Sequence, residues 1–234
     1  MTINTALGIE EVPAEARGLR HHVVRALRQA IIDGEFKPGD RILEEEISAR
    51  MGISRGPVRE ALRQLEQEGF VASSPYRPTV VLDLTDVEVR DVLIPIRVVL
   101  EKFAFAAIVG RLSDQNLAEL NNVIKQMRQA AALNDRAALA EADIGFHMAV
   151  LRLAGHKHTM MIWNAIAQRT KAYFLRFPRD IAPTESVKEH ERLLAALQGG
   201  DIVKIQRLLE EHIAEQTAPA IRVQKPKGGR RPAR

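Results

Sequence analysis

Apolar positions recur at helical spacing through most of the chain. Leu19, Val23, Ala26, Leu27, Ala30 and Ile31 fall on one side of a segment predicted as an amphipathic helix over 17–33. Gly34 ends it, and Lys37-Pro38-Gly39-Asp40 marks a turn. A short helix is predicted over 44–51, stopped at Gly52. Ser54 suits the N-cap of a third helix over 55–68, where Pro57 is tolerated in the first turn and Gly69 closes the pattern. Phe70-Val71-Ala72 and Thr79-Val80-Val81-Leu82 are short β-prone runs. They flank residues 73–78 and predict a hairpin with a wide loop.

Beyond residue 83 the pattern is helical only. Thr85-Asp86-Val87-Glu88 reads as a capping box opening a helix to about 109, with Pro95 inside it. A proline there removes one hydrogen bond and crowds the carbonyl of Asp91, so a kink is expected. Further helices are predicted from the cap Ser113 to about 133, from the break at Asn134-Asp135 to 154, over about 159–177, from the cap Thr184 to 198, and from the cap Asp201 to about 217. Short connections make these an antiparallel bundle. The fold class is therefore mainly α: an N-terminal winged helix-turn-helix with a small β-hairpin wing, then an all-α antiparallel helical bundle. The boundaries are an extension over 1–17, a winged helix domain over 18–82, a helical domain over 83–221 and a tail over 222–234.

Composition adjusts this picture in three places. Aromatic residues make up only 4% of the chain, so Ala, Leu, Ile and Val must fill the core. There is no cysteine, which excludes disulfides, thiolate metal sites and cysteine nucleophiles. The net charge of +4 is unevenly spread. Arg222, Lys225, Lys227, Arg230, Arg231 and Arg234 sit in the tail without an acid, which leaves residues 1–221 slightly negative. Any contact with nucleic acid must then come from a local cluster, with or without the tail, which is read as disordered. No apolar run is long enough to span a membrane. The first residues lack a basic-then-apolar export pattern, so a cytoplasmic protein is expected.

Such a cluster exists on the third helix. At about 100° per residue, Arg55, Arg59 and Arg63 step along one flank of the face formed by Val58, Ala61, Leu62 and Leu65. A short helix, the turn Met51-Gly52-Ile53 and a second helix with a basic flank make a helix-turn-helix, whose second helix lies in the major groove. Guanidinium forks suit guanine or phosphate, and Ser54 with the free N–H groups of the helix start suits phosphate. Arg77, near the hairpin tip, can reach adjacent backbone or the minor groove. Arginines four apart are also common on solvated faces, so the context carries the inference. Residues 27–39 (LRQAIIDGEFKPG) and 54–69 (SRGPVREALRQLEQEG) resemble the winged-helix signature of the GntR family of bacterial transcription regulators. The resemblance covers most of residues 18–82. It implies a homodimer on a palindromic double-stranded DNA operator, contacted by Ser54, Arg55, Gly56, Arg59, Arg63 and Arg77. Many members have Ser or Thr where Gly56 stands, and Glu45 occupies a position where some carry a further DNA-contacting arginine.

A second constellation lies in the bundle. Asp143 and His147 are four apart and project from one helix face. His190 and His212 each lie beside an apolar stripe, where an imidazole is more often a satisfied core residue than a ligand. Residues 85–217 resemble the FCD-type effector domain of the FadR subfamily, through Ala142-Asp143-Ile144-Gly145-Phe146-His147, the Glu189-His190 helix with Gly200-Asp201, and His212. The resemblance implies that Asp143, His147, His190 and His212 hold a divalent metal, and the donor set suits Zn²⁺, Ni²⁺, Mn²⁺ or Fe²⁺. It further implies that Arg97 clamps a small carboxylate metabolite beside the ion, with Arg152 and Arg176 as further effector contacts. The expected function is a ligand-responsive transcription regulator, of the repressor kind. The alternatives are a direct metal-ion sensor and, behind it, a metalloenzyme built on the bundle.

Overall fold

The computed structural model describes residues 14–74, 77–176 and 181–215. The extension over 1–13, the hairpin tip 75–76, the segment 177–180 and the basic tail lie outside the described residues. The chain forms two compact units, Met1–Asp83 and Leu84–Arg234.

In the first unit, α1 (Ala14–Ile32) packs along α3 (Arg55–Gln67), with α2 (Glu44–Met51) beside them. Val23, Val24 and Leu27 of α1 meet the buried face Val58, Ala61, Leu62 and Leu65 of α3, and Ile42, Ile47, Phe70, Val71 and Val81 complete the core. Gly52 takes a left-handed conformation (φ 64°) at the end of α2, which lets α3 start three residues later. Ser54 stands at the N-cap of α3, but its side chain makes no capping hydrogen bond. Arg28 reaches from α1 to Glu68 just past α3, donating through Nε at 3.0 Å and Nη2 at 2.7 Å. The expected hairpin is β2 (Val71–Ser74) against β3 (Arg77–Val81), antiparallel, with an irregular register between Ala72 and Ser74. The sequence pattern did not predict β1 (Arg41–Ile42), which pairs with β3 and makes the sheet three-stranded in the order β1-β3-β2.

In the second unit every described element is helical: α4 (Asp86–Glu88), a π-helical turn Val89–Leu93, α5 (Ile94–Ile108), α6 (Asp114–Ala132), α7 (Arg136–Ala154), α8 (Lys157–Arg176), α9 (Pro183–Gln198) and α10 (Ile202–Glu215). Thr85 accepts from the Glu88 N–H, as half of the expected capping box. Ser113, Asp135 and Asp201 cap α6, α7 and α10 through their side chains. Thr184 does not cap α9. Ala182 holds that position and Pro183 starts the helix, a place where the missing N–H of proline costs nothing. Pro95 lies inside the unbroken helical run 86–108, as expected, and the departure from α geometry comes just before it, as the π turn Val89–Leu93. That turn carries an extra residue and brings Val89 and Leu93 onto the same buried side as Arg97, Glu101 and Phe105. The core gathers residues of α5 to α10, among them Phe105, Phe146, Trp163 and Leu209.

Leu65 is fully buried between α1 and α3. Leu65→Ala is expected to destabilise the N-terminal unit by about 2–5 kcal/mol through the cavity it leaves. Chemical denaturation followed by circular dichroism checks this, and a loss below 1 kcal/mol would contradict the packing described.

Candidate metal centre and DNA-binding face

The bundle buries a set of polar side chains in an otherwise apolar interior. Asp143 and His147 lie on α7, His190 and Glu189 on α9, His212 on α10, and Arg97 with Glu101 on α5; all are buried. The ligand atoms of Asp143, His147, His190 and His212 lie within 4.8 Å of one another. His147 Nε2 is 3.2 Å from His212 Nε2, and Asp143 Oδ1 is 3.3 Å from His190 Nε2 and 3.9 Å from His212 Nε2. Two ligands bound at about 2.1 Å to one ion stand roughly 3–3.5 Å apart, so the spacing is that of a coordination shell.

The far side of each ring explains why these nitrogens converge. His212 Nδ1 lies 2.8 Å from Glu189 Oε2, His190 Nδ1 lies 2.8 Å from the Ser186 carbonyl, and His147 Nδ1 lies 2.5 Å from Glu101 Oε2. The acceptors of His212 and His190 favour the tautomer with the proton on Nδ1 and a lone pair on Nε2, the arrangement of metal-ligating histidines, whereas the Glu101–His147 contact is close but lacks hydrogen-bond geometry. His190 Nε2, also buried, makes no hydrogen bond among the described residues. Burial holds the His190 pKa down at about 4 and that of His147 well below its ordinary value, with the Arg97 charge adding to the effect at His147. Burial opposes ionisation of Asp143, but its electrostatic interactions with His190, His147, Arg97 and His212 outweigh it and leave its pKa lowered. Burial pushes the Glu101 carboxyl up against the opposing pull of Arg97. Donor type and spacing fit a divalent ion.

Arg97 is fully buried. Its Nε donates to Glu101 Oε1 at 2.6 Å, Nη2 lies 3.8 Å from Asp143, and its guanidinium sits 5.5 Å from the Trp163 ring and 5.6 Å from the Phe174 ring. The other two expected effector contacts are not brought to this place. Arg152 is exposed on the surface of α7 and paired with Glu119, because its position faces α6 rather than the core. Arg176 is exposed in the last turn of α8. Glu101, Glu189 and Trp163 were not anticipated as parts of the site. One signal was available: Arg97 and Glu101 are an i,i+4 charge pair inside the apolar run of α5, and a pair so placed points to burial. A cavity of about 50 Å³ between α9 and α10, lined by Glu189, Arg192, Leu208, Glu211 and His212, adjoins the cluster.

The arginine stripe of α3 is exposed. Arg59 and Arg55 are 55% and 58% exposed while paired with Glu44 and Glu45 of α2, and Arg63 pairs with Glu60. Ser54 and Gly56, at the start of α3, are also exposed, as is Arg77 at the start of β3. Glu66 accepts from the Ser73 backbone N–H at 2.8 Å and ties the wing to α3.

Residues 92–215 match the FCD domain, and residues 19–81 match the bacterial regulatory proteins of the gntR family. The chain is 30% identical over 188 residues to the "Probable D-xylose utilization operon transcriptional repressor" of Paenarthrobacter nicotinovorans, covering 79% of this chain and 80% of that one. It is 27% identical over 168 residues to the gluconate operon transcriptional repressor of Bacillus licheniformis, covering 72% and 68%. Among solved structures, E. coli McbR/YncC superposes with a TM-score of 0.71 at 25% identity, over 86% of this chain and 95% of that one. The two operon repressors are transcription regulators, not enzymes, so the metalloenzyme alternative falls away. With a winged helix-turn-helix ahead of a helical bundle and both halves matched in order, the chain belongs to the GntR family as a DNA-binding transcription regulator with a C-terminal FCD domain.

Proposed function

We propose that this regulator is a homodimeric repressor that reads a palindromic operator through Ser54, Arg55, Gly56, Arg59, Arg63 and Arg77, and that its bundle binds a divalent ion and a small carboxylate. The observation that carries the sensing half is the convergence of three imidazole Nε2 atoms and Asp143, with each Nδ1 facing an acceptor. Asp143, His147, His190 and His212 would hold the ion, which supplies a Lewis-acidic anchor for an oxygen of the effector. Arg97 supplies the complementary charge, stacked between Trp163 and Phe174 beside Asp143. The Trp163 indole N–H is buried without an acceptor among the described residues, and a ligand oxygen would satisfy it. The names of the two relatives refer to D-xylose and gluconate operons, and gluconate is a hydroxylated carboxylate, the class that a bound ion with Arg97 beside it would hold. The tail over 222–234 is a candidate for sequence-independent contact with phosphate. The second reading, that the ion itself is the signal, is favoured by one observation: the cavity beside the cluster, at about 50 Å³, holds a water or two and no organic acid.

Glu189→Gln weakens the acceptor that orients His212, and is expected to lower affinity for Zn²⁺ or Ni²⁺ about ten- to a hundredfold in competition with a chelator. Unchanged affinity would separate the cluster from metal binding. Arg59→Ala is expected to weaken binding to a duplex selected by the wild-type protein about ten- to a hundredfold, measured by fluorescence anisotropy. Binding within twofold of wild type would remove Arg59 from the interface. Trp163 is the chain's one tryptophan and is fully buried at the site, so its fluorescence reports on the pocket. A screen of small hydroxy acids with and without divalent metal should yield an acid that changes this emission and raises the melting temperature only when metal is present. A response to metal alone, with no acid adding to it and with DNA affinity following the metal titration, would establish the second reading.

A further inference from the structure

Two acid–arginine pairs bridge α2 and α3, and they are built differently. Glu44 takes one whole edge of the Arg59 guanidinium: Nε donates to Oε1 at 3.0 Å and Oε2 at 3.2 Å, and Nη2 donates to Oε2 at 2.9 Å. Glu45 meets Arg55 through a single contact, Nη2 to Oε2 at 3.0 Å. The Glu44 side chain is 33% exposed, that of Glu45 77%. Glu44 is thus partly sheltered and shaped around its partner, whereas Glu45 stands in solvent.

The edge that Glu44 occupies is not the only one Arg59 has. A guanidinium carries five N–H donors, and its Nη1–Nη2 end presents a second fork. Among the described residues no hydrogen bond to Arg59 Nη1 is formed. That end can meet guanine O6 and N7 while the Nε edge stays held. A long side chain already fixed in this way loses less freedom on binding than one that must be ordered.

Resting on the reading of α3 as the groove-facing helix, we infer that Glu44 is a positioning residue for Arg59 that sharpens its preference for one base pair in each half-site. Glu45 has the opposite effect: it adds negative charge near the phosphates and weakens binding to every duplex alike. The two acids are neighbours in sequence, so simple charge repulsion predicts that removing either tightens binding. Positioning predicts that removing Glu44 loosens it.

The test selects duplexes from a random-sequence pool with the full-length wild-type chain and with E44A, E44Q, E45Q and R59A, each checked for wild-type melting behaviour. The enriched pools are sequenced. Affinities are then measured for the best wild-type duplex and for an unrelated one. R59A should lose preference at one position per half-site. E44A should lose preference at that same position and bind the selected duplex about tenfold more weakly, with affinity for the unrelated duplex unchanged or higher. E44Q, which retains one acceptor oxygen, should fall between E44A and wild type. E45Q should bind both duplexes more tightly with its sequence preference intact. If E44A and E44Q tighten binding to both duplexes and keep the preference that R59A loses, Glu44 merely repels phosphate and the inference is overturned. If R59A itself keeps the wild-type preference, the groove-facing reading of α3 fails, and the assignment of Glu44 falls with it.

Discussion

The C-terminal bundle is organised around one electrostatic constraint: ionisable groups buried together must neutralise one another. Burial of an isolated charge costs several kcal/mol even after relaxation, so such groups persist only in compensating sets. Arg97, Glu101, Asp143, His147, Glu189, His190 and His212 form that set. Their arrangement follows from it. Arg97 is shared between Glu101 and Asp143, and the carboxylates of Glu101 and Glu189 are spent on the outer nitrogens of two imidazoles. Asp143 turns inward with the three Nε2 atoms. The result is a buried set of donors whose type and spacing are consistent with a metal site.

How much of this was legible in the sequence depended on whether the signal was local. The amphipathic helices, Gly52 at the turn and the caps Ser113 and Asp201 are local, and the structure has them where the pattern predicts. The strand β1 was invisible because two residues carry no periodicity; it exists only through its pairing with β3. The kink expected at Pro95 became a π turn because the core demands that Val89, Leu93 and Arg97 share a side, and a wider turn meets that demand without breaking the helix. In the centre, Asp143 and His147 could be grouped by spacing. Nothing local joined them to His190 and His212 on other helices, and only the resemblance to a known family supplied that link. Glu189 looks like a solvent-facing acid until the packing of α9 and α10 is known, and Glu101 is marked only by its i,i+4 pairing with Arg97 inside an apolar run. Arg152 shows the converse error, since an arginine on the helix that carries His147 need not face the same way.

Arginine serves two purposes in this chain, and the difference lies in its surroundings. Arg97 is dry, flanked by Trp163 and Phe174, and its charge is fully matched from within the bundle. Interactions there are strong because water is excluded, and any anion that displaced Glu101 or joined Asp143 would be felt strongly. Arg59 is more than half exposed, and its pairing with Glu44 is worth little as stability. The value of that pairing lies in geometry: it limits the directions in which a long side chain can point.

These two settings also constrain how a signal can travel. The cluster draws on α5, α7, α9 and α10, so occupancy fixes four helices against one another at a single point. An ion bound there, with or without a carboxylate, would favour the arrangement that keeps Asp143, His147, His190 and His212 together. The resulting bias reaches DNA only if two arrangements of the dimer differ both in how well the cluster closes and in how its winged helices fit the operator. By reciprocity, operator DNA must then shift the affinity of the bundle for its ligand by the same factor. Where that condition is met, the buried cluster and the exposed arginines become ends of one equilibrium, and a change confined to either appears at the other.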